Sequence, residues 1–67
     1  MVAIKLSELK NGEYFTRKPV EFPEDRQVLI RNEYDRSTKK YSVTRFDDVN
    51  REMFLKGSTI VYTGFTF

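Results

Sequence analysis

From Gln27 to Phe46 the chain alternates apolar and polar residues on both sides of a short polar break. In the first arm Val28, Ile30 and Tyr34 fall on one side, and Leu29, Arg31, Glu33 and Asp35 on the other. In the second, Lys39–Phe46, Tyr41 and Val43 share a side opposite Ser42, Thr44 and Phe46. Successive side chains of a strand point to opposite faces, so this pattern predicts a β-hairpin. A loop at Arg36–Lys39 sets its register, with Asp35 opposite Lys40, Tyr34 opposite Tyr41 and Glu33 opposite Ser42. The tyrosine pair then contributes about 0.2–1 kcal/mol across the strands. Asp35 is placed to accept hydrogen bonds from the turn backbone.

The flanking segments extend the β pattern. Val2, Ile4, Leu6 and Leu9 lead into a short helical turn over Ser7–Lys10, with Ser7 as its cap. Asn11-Gly12 forms a tight turn before a strand over Glu13–Lys18, where Tyr14, Phe15 and Thr16 favour extended backbone. Pro19 and Pro23 bracket KPVEFPED, which makes it a loop or edge segment, since proline cannot donate to a ladder. Asp47–Asn50 is a loop and Glu52–Leu55 a short strand. Gly57 is expected to be left-handed in the turn after it. Thr59–Thr63 is a further strand, and Gly64 marks a bulge or sharp bend. The expected fold is all-β, a single domain over residues 1–67. It is a five-stranded antiparallel, partly open barrel of the Src-homology-3-like kind with one short helical turn near the N-terminus. An oligonucleotide-binding-type barrel is the neighbouring architecture.

Such a barrel has a thin core. A chain of 67 residues buries only about 60% of the surface its unfolded form exposes. Domains this small commonly rely on disulfides, a metal or a partner subunit. Cysteine and histidine are both absent, so the burden falls on packing, led by six phenylalanines and four tyrosines that bury ~150–250 Å² each. The expected core is Ile4, Leu9, Phe15, Val28, Ile30, Val43, Phe54, Phe65 and one of Ile60 and Val61. Full burial of Phe54 would make its truncation to alanine cost about 3–5 kcal/mol. Phe22 either projects from the proline loop as a binding residue or closes the core as a lid, and the thinness of the core favours the lid. Phe67 either pins the last strand or offers an apolar edge to a partner.

Chemistry is constrained by the same composition. Without cysteine or histidine, Ser-His and Cys-His nucleophile pairs are impossible, and the commonest acid/base side chain is missing. A non-enzymatic protein without a cofactor is therefore expected. Asp47, Asp48, Asn50 and Glu52 form the densest oxygen cluster, but the stretch lacks the glycine of a calcium loop and carries Arg51 in its middle. It reads as a capped turn, with no metal expected. No apolar run reaches the ~20 residues of a membrane span, and no cationic, apolar leader opens the chain. A cytoplasmic protein is expected.

Two binding surfaces are candidates. The first comprises Phe22, Tyr34, Arg36, Lys39, Lys40, Tyr41 and Phe67, suited to a protein partner or to self-association. The second comprises Arg31, Arg36, Lys39, Lys40 and Arg45, which lie beside aromatic side chains as in barrels that bind single-stranded nucleic acid. Twelve basic and ten acidic residues give a net charge of +2 with interspersed signs, less clustering than a dedicated nucleic-acid binder carries.

The L-K-x-G-E-x-F start, the Y-D-R-S-x-K-K-Y hairpin and the F-x-K-G turn resemble short uncharacterised proteins of phages and mobile elements of gut anaerobes, over most of the chain. The resemblance implies a small Src-homology-3-like barrel and a phage-associated accessory role, as a virion component or as an inhibitor of a host system. Its motifs are turns and strands, so it carries a fold expectation and no active site.

Overall fold

The computed structural model describes residues 1–67. It is all-β, with six strands: β1 (Val2–Lys5), β2 (Tyr14–Phe15), β3 (Leu29–Asp35), β4 (Lys40–Arg45), β5 (Glu52–Leu55) and β6 (Ile60–Thr63). They form two antiparallel sheets, one of β1 and β6 and one in the order β2-β3-β4-β5. The sixth strand, beyond the five expected, is β1, where Val2 to Lys5 pair with Thr63 to Ile60. The sheets meet at Thr16, whose N–H donates to the Tyr62 carbonyl (3.0 Å) while the Tyr62 N–H donates back (2.9 Å).

The hairpin loop is Arg36–Lys39, as the alternation predicts. Tyr34 faces Tyr41 and Asp35 faces Lys40. The register then slips, because Arg31 faces Val43, leaving Asn32 and Glu33 to share Ser42. This is a β-bulge in β3, so the expected Glu33–Ser42 pairing is replaced. The bulge also resets which side chains point inward. Leu29 and Arg31 lie on the face of Phe15 and Val43, and beyond the bulge Tyr34 joins that face. Leu29, expected outward, is a core residue, and Ile30 is only partly buried.

The buried cluster consists of Leu6, Leu9, Phe15, Leu29, Val43 and Val61, with Ile4, Tyr41, Met53 and Leu55 packed against it. Val28 is also fully buried. Val61 rather than Ile60 is the inward residue of β6, since Ile4 and Val61 pair on the core side. Phe54 does not belong to the core. It faces the outward Ser42 and is 43% exposed, whereas Met53 and Leu55 face Val43 and Tyr41. Strand parity outweighs side-chain size here. Phe65, also expected inside, is only partly buried: β6 ends at Thr63, and Gly64 is left-handed at φ +82°.

The N-terminal turn is 3₁₀, covers Leu6–Glu8 rather than Ser7–Lys10, and has no side-chain cap, so Ser7 does not cap it. A 3₁₀ turn eclipses residues i and i+3, which puts Leu6 and Leu9 into the core together. A second 3₁₀ turn, Asp25–Gln27, closes the proline loop, with the Glu24 N–H donating to Gln27 Oε1 at 2.9 Å. Pro23 is the buried residue of that loop, and Phe22 is 69% exposed. The lid expected of Phe22 is therefore not formed, since its ring stands in solvent. All peptide bonds are trans. Gly57 is not left-handed; it serves close approach instead, since a Cβ there would lie 3.0 Å from Tyr41 Cε2 and 3.1 Å from Ser7 Cβ.

Phe15→Ala should therefore cost about 3–5 kcal/mol, and Phe54→Ala roughly 1 kcal/mol or less. Urea unfolding of the two variants checks this. Equal losses would contradict the inward and outward assignment.

Candidate functional site

The hairpin tip is organised by Asp35. The Ser37 hydroxyl and the Ser37 backbone N–H both donate to Asp35 Oδ1 at 2.9 Å. Lys39 completes the turn at φ +57°, a left-handed conformation that costs a non-glycine residue about 1–2 kcal/mol. Arg36, Lys39 and Lys40 surround the tip without ion pairs. Tyr34 and Tyr41 pack together below the tip, ring centroids 4.9 Å apart and planes tilted by 58°. The Arg31 guanidinium lies 4.4 Å from the Tyr41 ring centroid. Its Nε is buried without a hydrogen-bond partner, so the ring face is its compensating contact.

These residues do not make one surface. Tyr41 is held between Arg31, Tyr34 and Gly57, as part of the packing at this end of the sheet. Arg45 lies at the far end of β4, about 17 Å along the strand from Lys40. There it is tied to Asp47, Nε to Oδ1 at 2.9 Å and Nη2 to Oδ2 at 2.8 Å. The five cations expected to contact a nucleic-acid strand are thus divided among a tip, a stack and an ion pair.

Phe67 instead joins two residues that were not among the candidates. Its ring is 4.8 Å from Phe46 and 6.1 Å from Tyr14, and Tyr14 and Phe46 are 5.6 Å apart, all edge to face. The three are between 38% and 51% exposed. Parity places them: Tyr14 precedes the buried Phe15, and Phe46 follows the inward Arg45, so both point outward. That signal is present in the sequence, where Phe46 alternates with Thr44 and Ser42. The Thr66 N–H donates to the Glu21 carbonyl at 2.9 Å, which sets Phe22 and Phe67 on adjoining residues of two paired segments. Tyr34 and Tyr41 are remote from this cluster, at the other end of the hairpin.

Of three surface clefts, two lie beside the proline loop and the hairpin. One, of about 310 Å³, lies between the proline loop and the inner face and is lined by Arg17, Lys18, Arg26 and Arg45 above Val20, Leu29 and Met53. The other runs over Asn32, Glu33, Tyr34, Asp35, Ser42 and Glu52. It gathers three carboxylates, but Asp35 is held below the usual carboxylate range by the Ser37 hydroxyl and N–H, the reverse of a poised acid. Asp48 Oδ1 accepts from the Asn50 N–H at 3.1 Å, so the Asp47–Glu52 stretch is a capped turn. No three acidic groups come together in a geometry able to hold a metal ion. No helix is long and apolar enough to cross a membrane. Comparison with protein-family models, with curated proteins and with solved structures finds no match.

Because the Asp35 pKa is depressed in the folded chain, its stabilising contribution is present above the ordinary carboxylate pKa. It is lost as pH falls through the lower folded value. A ¹³C-detected titration of Asp35 should show a midpoint below that of an ordinary aspartate. Ser37→Ala should move it upward, since the hydroxyl is the largest cause; an unmoved midpoint would contradict the assignment.

Proposed function

We propose that this chain is a non-enzymatic interaction module that associates with a second copy of itself through the cluster of Tyr14, Phe46 and Phe67. One observation carries the reading: three contiguous, half-exposed rings on the outer face of a sheet whose own core holds few large side chains. Monomeric domains rarely leave large contiguous apolar patches in water, and small domains gain stability by burying them against a partner. We read the two sheets, joined through Thr16 and Tyr62, as a partly open barrel of the Src-homology-3 type. Support for this comes from the pairing β1-β6 followed, across that bridge, by β2-β3-β4-β5. Seen with the resemblance of its turns to phage and mobile-element proteins, the module is an accessory protein, acting as a virion component or on a host protein. Single-stranded nucleic acid is the competing ligand, and the separation of Arg31, Arg45 and the tip cations weighs against it.

Sedimentation over a range of concentrations, with and without a fluorescent single-stranded oligonucleotide at low and high salt, tests the reading. Association that is lost in a Phe46→Ser, Phe67→Ser variant, with the oligonucleotide left free, is the expected outcome. A chain that stays monomeric throughout, or a salt-sensitive complex with the oligonucleotide, would sink it.

A further inference from the structure

The cleft beneath the proline loop is a second site, distinct from the aromatic cluster and independent of it. Its floor is apolar, made by Leu29, Met53 and the partly buried Val20. Its rim is cationic, made by Arg17, Lys18, Arg26 and Arg45, and no acidic residue lines it. Two of the four cations are already engaged outside the cleft. Arg26 Nε is 2.8 Å from Glu24 Oε2, and Arg45 is paired with Asp47. Arg17 and Lys18 make no ion pair. They are the uncompensated charge of the rim.

Their placement is fixed from below. Thr16 is buried, its backbone is paired in both directions with Tyr62, and its hydroxyl donates to the Lys18 carbonyl at 2.7 Å. The corner that carries Arg17 and Lys18 is thereby set before any ligand arrives, which lowers the ordering cost of binding.

We infer that this cleft binds an acidic peptide segment with a bulky apolar anchor. The anchor sits on Leu29 and Met53, and flanking carboxylates meet Arg17 and Lys18. Charge complementarity selects the acidic partner. A cleft of about 310 Å³ stands at the small end of ligand sites, ~300–1,000 Å³, and suits one large side chain. A nucleic-acid strand fits less well, because no aromatic residue lines the cleft and bases need a stacking platform.

The probe is a fluorescein-labelled peptide with one leucine centred among glutamates, compared with the same peptide carrying serine in place of leucine. The leucine peptide should bind saturably and more weakly as salt rises. The serine peptide should bind roughly tenfold more weakly, a factor that corresponds to about 1.4 kcal/mol. Arg17→Ser with Lys18→Ser should weaken the leucine peptide by about the same factor. Both side chains are exposed, so the thermal unfolding of this variant should match that of the parent. Arg36→Ser, Lys39→Ser and Lys40→Ser together should leave binding unchanged. Amide shifts of the parent chain on peptide addition give a readout that needs no variant, and they should centre on Arg17, Lys18, Leu29 and Met53. The inference is overturned by absent or unsaturable binding, by equal affinity for the two peptides, or by shifts centred on the hairpin tip. Displacement of the leucine peptide by a single-stranded oligothymidine of equal charge would overturn it too, in favour of a nucleic-acid site.

Discussion

Everything in this fold passes through Phe15 and Thr16. β2 is two residues long, yet Phe15 fills the centre of the core and Thr16 joins the two sheets. The pair works because a strand alternates. Phe15 points inward to Leu29, Val43 and Val61, and the next residue turns its backbone to Tyr62. Thr16 is the one polar residue among the fully buried side chains, and burying a hydroxyl costs free energy unless it is hydrogen-bonded. The Lys18 carbonyl meets that need, and in doing so fixes where the proline loop departs. A chain without disulfides or histidine ligands holds its sheets together by this junction and by the apolar packing around it.

The two surfaces with binding character follow from the same strand. Tyr14 is outward because Phe15 is inward, which brings it to Phe46 and Phe67 on the outer face. Arg17 and Lys18 are presented because Thr16 is tied down. The outer cluster is apolar and half exposed, and the cleft is cationic at its rim and apolar at its floor. One short strand thus orients an aromatic face and a charged groove. At the hairpin tip Ser37 holds Asp35 while Arg36, Lys39 and Lys40 stand without ion pairs, and below it Arg31 lies over the Tyr41 ring.

Much of the β architecture is legible in the sequence wherever local chemistry decides. The loop at Arg36–Lys39, the Tyr34–Tyr41 pair and the Asp35 turn all follow from alternation and turn residues. What is not legible depends on long-range geometry. The bulge at Asn32-Glu33 leaves no mark in a period-two pattern, yet it exchanges the faces of β3 and makes Leu29 rather than Ile30 a core residue. Phe54 illustrates a different limit: size argues for burial, parity argues against it, and parity prevails because β5 pairs Met53 with Val43. Phe22 stands in solvent where aromaticity argues for burial, and Pro23 is the buried residue of its loop. The aromatic cluster was partly readable, since Tyr14 and Phe46 lie on outward positions of their strands. Its meeting with Phe67 depends on the path of the last four residues.

Native-state hydrogen exchange at two amides tests the junction most directly. The Thr16 and Tyr62 N–H groups pair with each other's carbonyls, so in a single cooperative unit they exchange only on global unfolding, with the same opening free energy as the hydrogen-bonded amides of β3 and β4. That equality is the expected result. Markedly faster exchange at Thr16 and Tyr62, with β3 and β4 still protected, would mean that the sheets open independently and that the junction does not hold the fold.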